Sequence, residues 1–294
     1  MEATAAGSAV TALDAATVEE QARLAKLYDA EILPAYAARF ARLLLGRLPP
    51  RPRARIVEIG CATGDLTREL ARRFPGDSQI TALDESPAFV AEARAKLEAG
   101  SGSHPRVTLV AQPGIPLMLP LETGAADDVV SNLTVASCAN PAGAVREASR
   151  LLAPGGRLAI TAPLRGTWAE FLDLFREVLA DSGKPTAVAA VDRYTRALPD
   201  GDVVAGWLRA AGLVDVDVTV DRWEVLFRTA REFFFAPLVA DGPLPLWKRL
   251  AGPGDDMQDV FFFTKEAIDT YFKGRPFAVT IVGAAVVGRR PEKK

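Results

Sequence analysis

Val57-Glu58-Ile59-Gly60-Cys61-Ala62-Thr63-Gly64, followed twenty residues later by Leu83-Asp84, is the stretch that decides the fold. Arg55-Ile56-Val57-Glu58-Ile59 is an apolar run of strand length. It ends in a turn of small residues, after which Asp65-Leu66-Thr67-Arg68-Glu69-Leu70 opens a helical pattern. Small residues at 60, 62 and 64 let the backbone bend sharply and let a ligand lie against it. A second apolar run, Gln79-Ile80-Thr81-Ala82-Leu83, ends in Asp84, whose carboxylate suits the two hydroxyls of a ribose. Two strands of this kind, with a glycine turn at the first and an acid at the second, describe a nucleoside crevice at the carboxyl ends of parallel strands.

The kind of nucleoside follows from the charges. A dinucleotide site uses G-x-G-x-x-G and rests a pyrophosphate on the helix N-terminus. Here the order is Gly60-x-Ala62-x-Gly64, and the third glycine position is Asp65. A carboxylate there repels a pyrophosphate and is placed to cap its own helix. Glu58 adds a second acid inside the strand, which favours a ligand carrying an amine. S-adenosylmethionine meets these demands: an amino acid at one end, a ribose at the other, a sulfonium between them and no phosphate.

On these residues the chain resembles the class I S-adenosylmethionine-dependent methyltransferases over most of residues 53 to 165. The resemblance implies that Glu58, Gly60, Cys61, Ala62, Thr63 and Gly64 hold the methionine part, and that Asp84, with Glu85 beside it, holds the ribose. Leu119-Pro120-Leu121-Glu122-Thr123-Gly124 with Asp127 or Asp128 is similar to the family's approach to its fourth strand. Leu151-Leu152-Ala153-Pro154-Gly155-Gly156 is similar to its turn into the fifth. Ala62 stands where the family has its middle glycine, and the family's adenine acid has no counterpart after Val107–Ala111; Gln112 is the candidate for the adenine amino group. Asn132, after the fourth strand, is the candidate at the reacting end. The implied fold is α/β, a doubly wound, mostly parallel seven-stranded sheet with an antiparallel last pair. A narrower likeness, in Leu119-Pro120-Leu121, Ser131-Asn132-Leu133 and Thr161 to Thr167, is to carrier-protein malonyl O-methyltransferases.

Composition narrows the rest. With 49% hydrophobic and 24% charged residues in a chain of 294, the sequence reads as an ordinary globular protein. A net charge of -2 carries no nucleic-acid footprint, and the arginines at 51, 53, 55, 72 and 73 read as solvated surface. Two cysteines, Cys61 and Cys138, make no disulfide framework and fit a reducing, cytoplasmic setting. His104 is the only histidine and falls in a Gly-Ser-His-Pro turn, so a histidine- or thiolate-rich metal site is not expected. No apolar stretch reaches the ~18 residues of a membrane span.

Along the chain, residues 1–16 read as a flexible tail and 17–50 as a helical extension. Thr17-Val18-Glu19-Glu20 is a capping box, and Pro34 is expected to break the helix before a second one carrying Tyr36, Phe40, Leu43 and Leu44. Tyr28 and Tyr36 are candidates to touch the cofactor, since family members often place a helix over it. The methyltransferase core is expected over 51–228 and 276–290, with helices near 167–181 and 201–212. Leu213 to Asp221 alternates apolar and polar residues without a break, which reads as a strand with one dry face at a sheet's margin. Between that strand and Phe277–Val282 lies an aromatic insertion, 229–275, expected as two or three short helices forming a lid and substrate cap.

Transfer of a methyl group from a sulfonium is an in-line displacement onto a neutral leaving group, so it asks chiefly for alignment and exclusion of water. No histidine–acid pair is visible and no catalytic residue is assigned. The expected acceptor is therefore small or lipophilic, more readily an oxygen, with little need of a base. A carboxyl presented on an acyl carrier protein and a non-catalytic S-adenosylmethionine-binding protein are the rival readings.

Overall fold

The computed structural model describes residues 18–99, 106–252 and 255–292. The expected tail over 1–16, Thr17 of the capping box and His104 lie outside the described residues. Seven strands, β1 (Arg55–Ile59), β2 (Gln79–Asp84), β3 (Val107–Ala111), β4 (Ala126–Ser131), β5 (Leu152–Pro163), β6 (Val214–Phe227) and β7 (Phe277–Arg289), form one sheet in the order β3-β2-β1-β4-β5-β7-β6. The chain winds outward from β1 to β3, returns to β4 and winds the other way. The switch point therefore falls between β1 and β4, where ligands bind such sheets.

β1 has a parallel neighbour on each side, with Glu58 opposite Ala82 of β2 and Val130 of β4. Its residues after Arg55 are all buried, as a central strand covered on both faces requires. β7 runs against β5: Gly155 N–H donates to the Arg290 carbonyl (3.0 Å), and Leu164 N–H to the Val282 carbonyl (2.8 Å), so one index rises as the other falls. The last pair, β7 and β6, is antiparallel as the resemblance implied. β6 is longer than its alternating signature. Its apolar face is only half dry, with Val214 at 46% and Val220 at 54% exposure, because it is the sheet's edge.

The N-terminal extension is one continuous helical run, Val18–Leu27, Tyr28–Ala37 and Ala38–Gly46. Pro34 does not break it. The middle third is π-helical, and Ala38 N–H reaches back to the Leu33 carbonyl. A wider turn relieves the clash between a proline ring and the carbonyl four residues earlier, so the expected break becomes a bulge. Ala38–Gly46 then buries Ala41, Leu44 and Leu45 against Ile56, Leu66, Leu70 and Ile80. A fully buried leucine such as Leu44 contributes about 1.5–3 kcal/mol.

Contacts divide the chain into two compact units. One holds the described residues 18–162, 201–220 and 284–292; the other holds 163–200 and 221–283. The second is mostly helical: Ala169–Asp181, Pro185–Ala197, Ala230–Phe235, Pro237–Ala240, Leu244–Ala251 and Asp255–Phe272. Two of these outrun the sequence reading. Pro185–Ala197 was not expected at all, and the insertion folds into four helices, the last of 18 residues. Their core is aromatic. Phe171 stacks on Trp247 with ring centroids 4.1 Å apart, and Phe233 lies 5.1 Å from Phe171, Phe227 and Phe277.

Candidate functional site

The loop after β1 has the geometry its small residues allow. Gly60 N–H and Cys61 N–H both donate to the Leu83 carbonyl, at 2.8 and 2.9 Å, which ties the end of β1 to the end of β2. Gly60 has φ +77°, and a Cβ there would fall 1.8 Å from Thr134 Oγ1, so nothing larger fits. Gly64, at φ +81°, faces Ala93 of the helix Pro87–Ala99, where a Cβ would fall 2.8 Å from the Ala93 Cβ. Ala62 is also left-handed, at φ 46°, a conformation in which a non-glycine residue costs of order 1 kcal/mol.

That strain orients one donor. Ala62 N–H points at Asp84 Oδ2 (2.8 Å), while Ser86 N–H holds Oδ1 (3.0 Å). Asp84 is thus fixed at the tip of β2 by two backbone donors, with lone pairs left on each oxygen. Burial nevertheless raises its pKa above the ordinary aspartate value, and the N–H donors of Ser86 and Ala62 oppose that rise.

Glu58 is the most unusual group in the crevice. It is 1% exposed, Thr67 Oγ1 donates to its Oε2 at 2.6 Å, and its Oε1 has no partner. Burial pushes its pKa up to about 8; the Thr67 hydroxyl works against this, and the charges of Asp84 and Asp65 add to it. Asp65 does not cap its helix as expected. It is the first helical residue, its carboxylate takes Arg68 at 3.0 Å, and the N-cap is left-handed Gly64 with no side-chain bond. Three acidic side chains therefore surround a loop whose N–H groups at 60, 61 and 62 are already engaged. Such a crevice suits a ligand with cationic and hydroxyl groups and is hostile to phosphate.

The π-helical turn supplies the neighbours that the loop alone does not reveal. Asp29 accepts from Thr63 Oγ1 and pairs with Lys96, pinning the extension to the loop and to the helix Pro87–Ala99. Tyr28 packs on Phe89 at 5.6 Å; burial and the charges of Asp84, Asp65, Asp29 and Glu58 all hold its phenol firmly protonated. Asn132 anchors the same extension further along, donating to the Ala37 carbonyl (3.0 Å) and accepting from Thr161 Oγ1 (2.8 Å).

The other sequence candidates lie as follows. Cys61 turns its side chain into the core cluster, and burial raises its thiol far above the ordinary range, so only its backbone faces the loop. Thr63 is fully buried on Asp29. Glu85 accepts from Gly114 N–H at 3.0 Å, which fastens the turn after β3. Gln112 bends its amide to the Pro113 carbonyl at 3.1 Å. Asp128 is buried between Arg157 (2.6 Å) and Arg51 (2.9 Å). Sequence reasoning passed over Thr67 and Asp29. Thr67 carried a signal, a threonine in the first turn of the helix after the loop. Asp29 carried none, because its role depends on the π-helical turn.

Known proteins place this geometry. Residues 57–160 match the family described as methyltransferase domain. The malonyl-[acyl-carrier protein] O-methyltransferase of Enterobacter lignolyticus is 32% identical over 140 residues, 48% of this chain and 51% of that protein. The trans-aconitate 2-methyltransferase of Acidovorax sp. is 36% identical over 126 residues, 41% of this chain and 42% of that one. The chain thus spans about half the length of these two curated relatives. The nocamycin O-methyltransferase of Saccharothrix syringae is 33% identical over 207 residues, 66% of this chain and 71% of that protein. Among solved structures, the YcgJ protein from Bacillus subtilis superposes with a TM-score of 0.53 at 13% identity, covering 87% of this chain and 100% of that one. At such identity the likeness is one of fold.

Sheet order, switch point and glycine turn define a nucleoside-binding α/β protein. More narrowly, the chain belongs to the class I S-adenosylmethionine-dependent methyltransferases, a family whose cofactor is S-adenosylmethionine.

Proposed function

We propose that the protein moves a methyl group from S-adenosylmethionine to a small or lipophilic acceptor, most readily at oxygen. The observation that carries this reading is the acidic, phosphate-averse crevice of Glu58, Asp65 and Asp84 around a glycine turn, in a chain of methyltransferase family. Its residues fit the cofactor: Glu58 has a buried oxygen without a partner, and Gly60 and Gly64 are places where a Cβ would clash. In this reading Glu58 receives the ammonium and Asp84 the ribose hydroxyls. The backbone of Gly60 to Gly64 lies against the methionine chain, and Gln112 and Glu85 border the adenine side.

When bound, the cofactor supplies an electrophilic methyl on a cationic sulfur. The chain's own task is to hold the acceptor in line, about 3–3.5 Å away, and to keep water out. No general base is assigned, since a carboxylate acceptor is already a nucleophile at neutral pH. Residues 229–275 are the proposed acceptor cap over a core of 51–228 and 276–290, supported by the aromatic side chains this segment leaves exposed: Phe235 at 76%, Phe262 at 57% and Phe263 at 53%.

The malonyl and trans-aconitate relatives support a second reading of the acceptor, a carboxyl group, free or presented on a carrier protein. Calorimetric titration with S-adenosylmethionine, S-adenosylhomocysteine and NAD tests the donor: binding of the first two without the third is expected, and NAD binding alone overturns the reading. Transfer of labelled methyl to carboxylic acids, phenols and a malonyl-loaded carrier protein, at low and high salt, then separates the acceptors. Binding with no transfer to any of them would leave a sensor or partner subunit.

A further inference from the structure

The unpartnered oxygen of Glu58 has a consequence that receiving a ligand's amine does not by itself entail. We propose that Glu58 carries a proton in the ligand-free crevice and gives it up to solvent when an ammonium-bearing nucleoside binds, so that cofactor capture is coupled to the release of one proton. The proposal rests on the assignment of Glu58 to the ammonium made above.

The geometry supports it from every side. On β1 itself the carboxyl is 1% exposed. The strand neighbours opposite it, Ala82 and Val130, are apolar and offer no charge. From the helix Asp65–Arg73 comes one neutral donor, Thr67 Oγ1 on Oε2, together with the negative charge of Asp65. The tip of β2 adds the negative charge of Asp84. The turn brings Cys61, whose thiol is held protonated, and the π-helical segment brings Tyr28, also held protonated. On the helix Pro87–Ala99, Lys96 is paired with Asp29 and Arg94 is exposed, and Arg68 is paired with Asp65. Among the described residues, Glu58 has no cation as a hydrogen-bond or ion-pair partner. A buried carboxylate with like charges and no counter-ion takes up a proton instead. Its second oxygen, bare of any partner, is where that proton sits.

An incoming ammonium reverses the balance. It supplies the missing counter-charge and donors, the carboxylate form becomes the stable one, and the proton departs. The sign is fixed by linkage: the ligand prefers the deprotonated site, so affinity rises with pH up to the pKa of the empty site, about 8, and levels off above it. Well below that value, each pH unit changes the apparent Kd by about tenfold.

The test is calorimetric titration of the full-length protein with S-adenosylhomocysteine, which carries the same ammonium and does not react. Run near neutrality in two buffers of very different ionisation enthalpy, the observed heats should differ by the amount that close to one released proton predicts. The Kd should tighten about tenfold from pH 6 to pH 7. 5′-Methylthioadenosine, which lacks the amino acid, should bind with a buffer-independent heat. Infrared difference spectra of the parent protein should show a protonated carboxyl band lost on binding, and Glu58→Gln should lack that band in the empty state. Tight binding with equal heats in both buffers and no lost band would overturn the coupling while leaving the methyltransferase reading intact. No binding of either sulfur nucleoside at any pH overturns both.

Discussion

The turn after β1 and the aromatic helices of residues 163–200 and 221–283 solve opposite physical problems. In the turn almost every interaction is polar and directional. Two N–H groups fix Asp84, one hydroxyl serves Glu58, and glycines at 60 and 64 leave space that a side chain would fill. In the helical unit the interactions are apolar: Phe171, Phe175, Phe233 and Trp247 are all under 2% exposed and pack ring on ring. A polar site of this kind adds little to stability but selects its ligand by charge. An aromatic core does the reverse. The contrast teaches that changes in the two regions should register in different measurements.

The largest effect is expected from Phe171→Ala. Removing a fully buried ring that contacts Phe175, Phe233 and Trp247 should destabilise the protein by about 3–5 kcal/mol. Under conditions where the variant is still folded, its affinity for S-adenosylmethionine should match the parent's. A parallel loss of affinity, seen by calorimetry beside thermal melts, would break the proposed division. Asp84→Asn should show the mirror image: a loss of about 1.5–3 kcal/mol in cofactor binding, roughly 10- to 100-fold in Kd, with only a modest change in melting temperature. Unchanged affinity would mean the ribose site lies elsewhere.

An effect spread over a range of pH sharpens the polar side. Glu58 has its folded pKa raised from 4.5 to about 8, so the stability it contributes is complete below pH 4.5 and is lost as pH rises through 8. The ligand-free parent should therefore lose on the order of 1 kcal/mol of stability per pH unit in that window, and Glu58→Gln should lose less. Urea midpoints at pH 5 and 8.5 report the difference, and identical slopes for the two proteins would count against a buried, protonated Glu58. The smallest effect is expected at the surface. Phe262→Ser should leave stability within about 0.5 kcal/mol and cofactor affinity untouched. If residues 229–275 cap the acceptor, this variant raises the KM for a lipophilic acceptor with kcat little changed, and an unaltered KM would remove Phe262 from that role.

Much of this could be read from the sequence, for reasons that differ by region. The parallel half of the sheet was legible because a buried strand, a glycine turn and an amphipathic helix each leave a local periodicity. The acid at Asp84 falls where a strand end must be. β6 and β7 were legible for the same reason, although the edge position of β6 exposes half of what alternation calls dry. Pro34 misled because its local meaning, a broken helix, was overridden by a wider turn that packing of Ala41, Leu44 and Leu45 holds in place. Asp65 misled too: its position in the first turn suggests a cap, yet the nearer partner is Arg68. Asp29 and the anchoring of Asn132 could not be read, since both depend on contacts across more than 30 residues. In the insertion, aromatic density announced a core without saying which rings face inward. Phe233 is buried and Phe235 is 76% exposed, two residues apart on a six-residue helix.

The place of β7 between β5 and β6 bears on how the chain is made. A ribosome delivers β6 some fifty residues before β7, so during synthesis β6 has no partner and the open side of β5 has none either. A waiting strand of four alternating valines is a template for pairing with another nascent chain. Asp215, Asp217 and Asp221, interleaved with those valines, put like charges on any such encounter. The acids that wet one face of the finished edge would thus also act earlier, as gatekeepers that keep the sheet unfinished until its own last strand arrives.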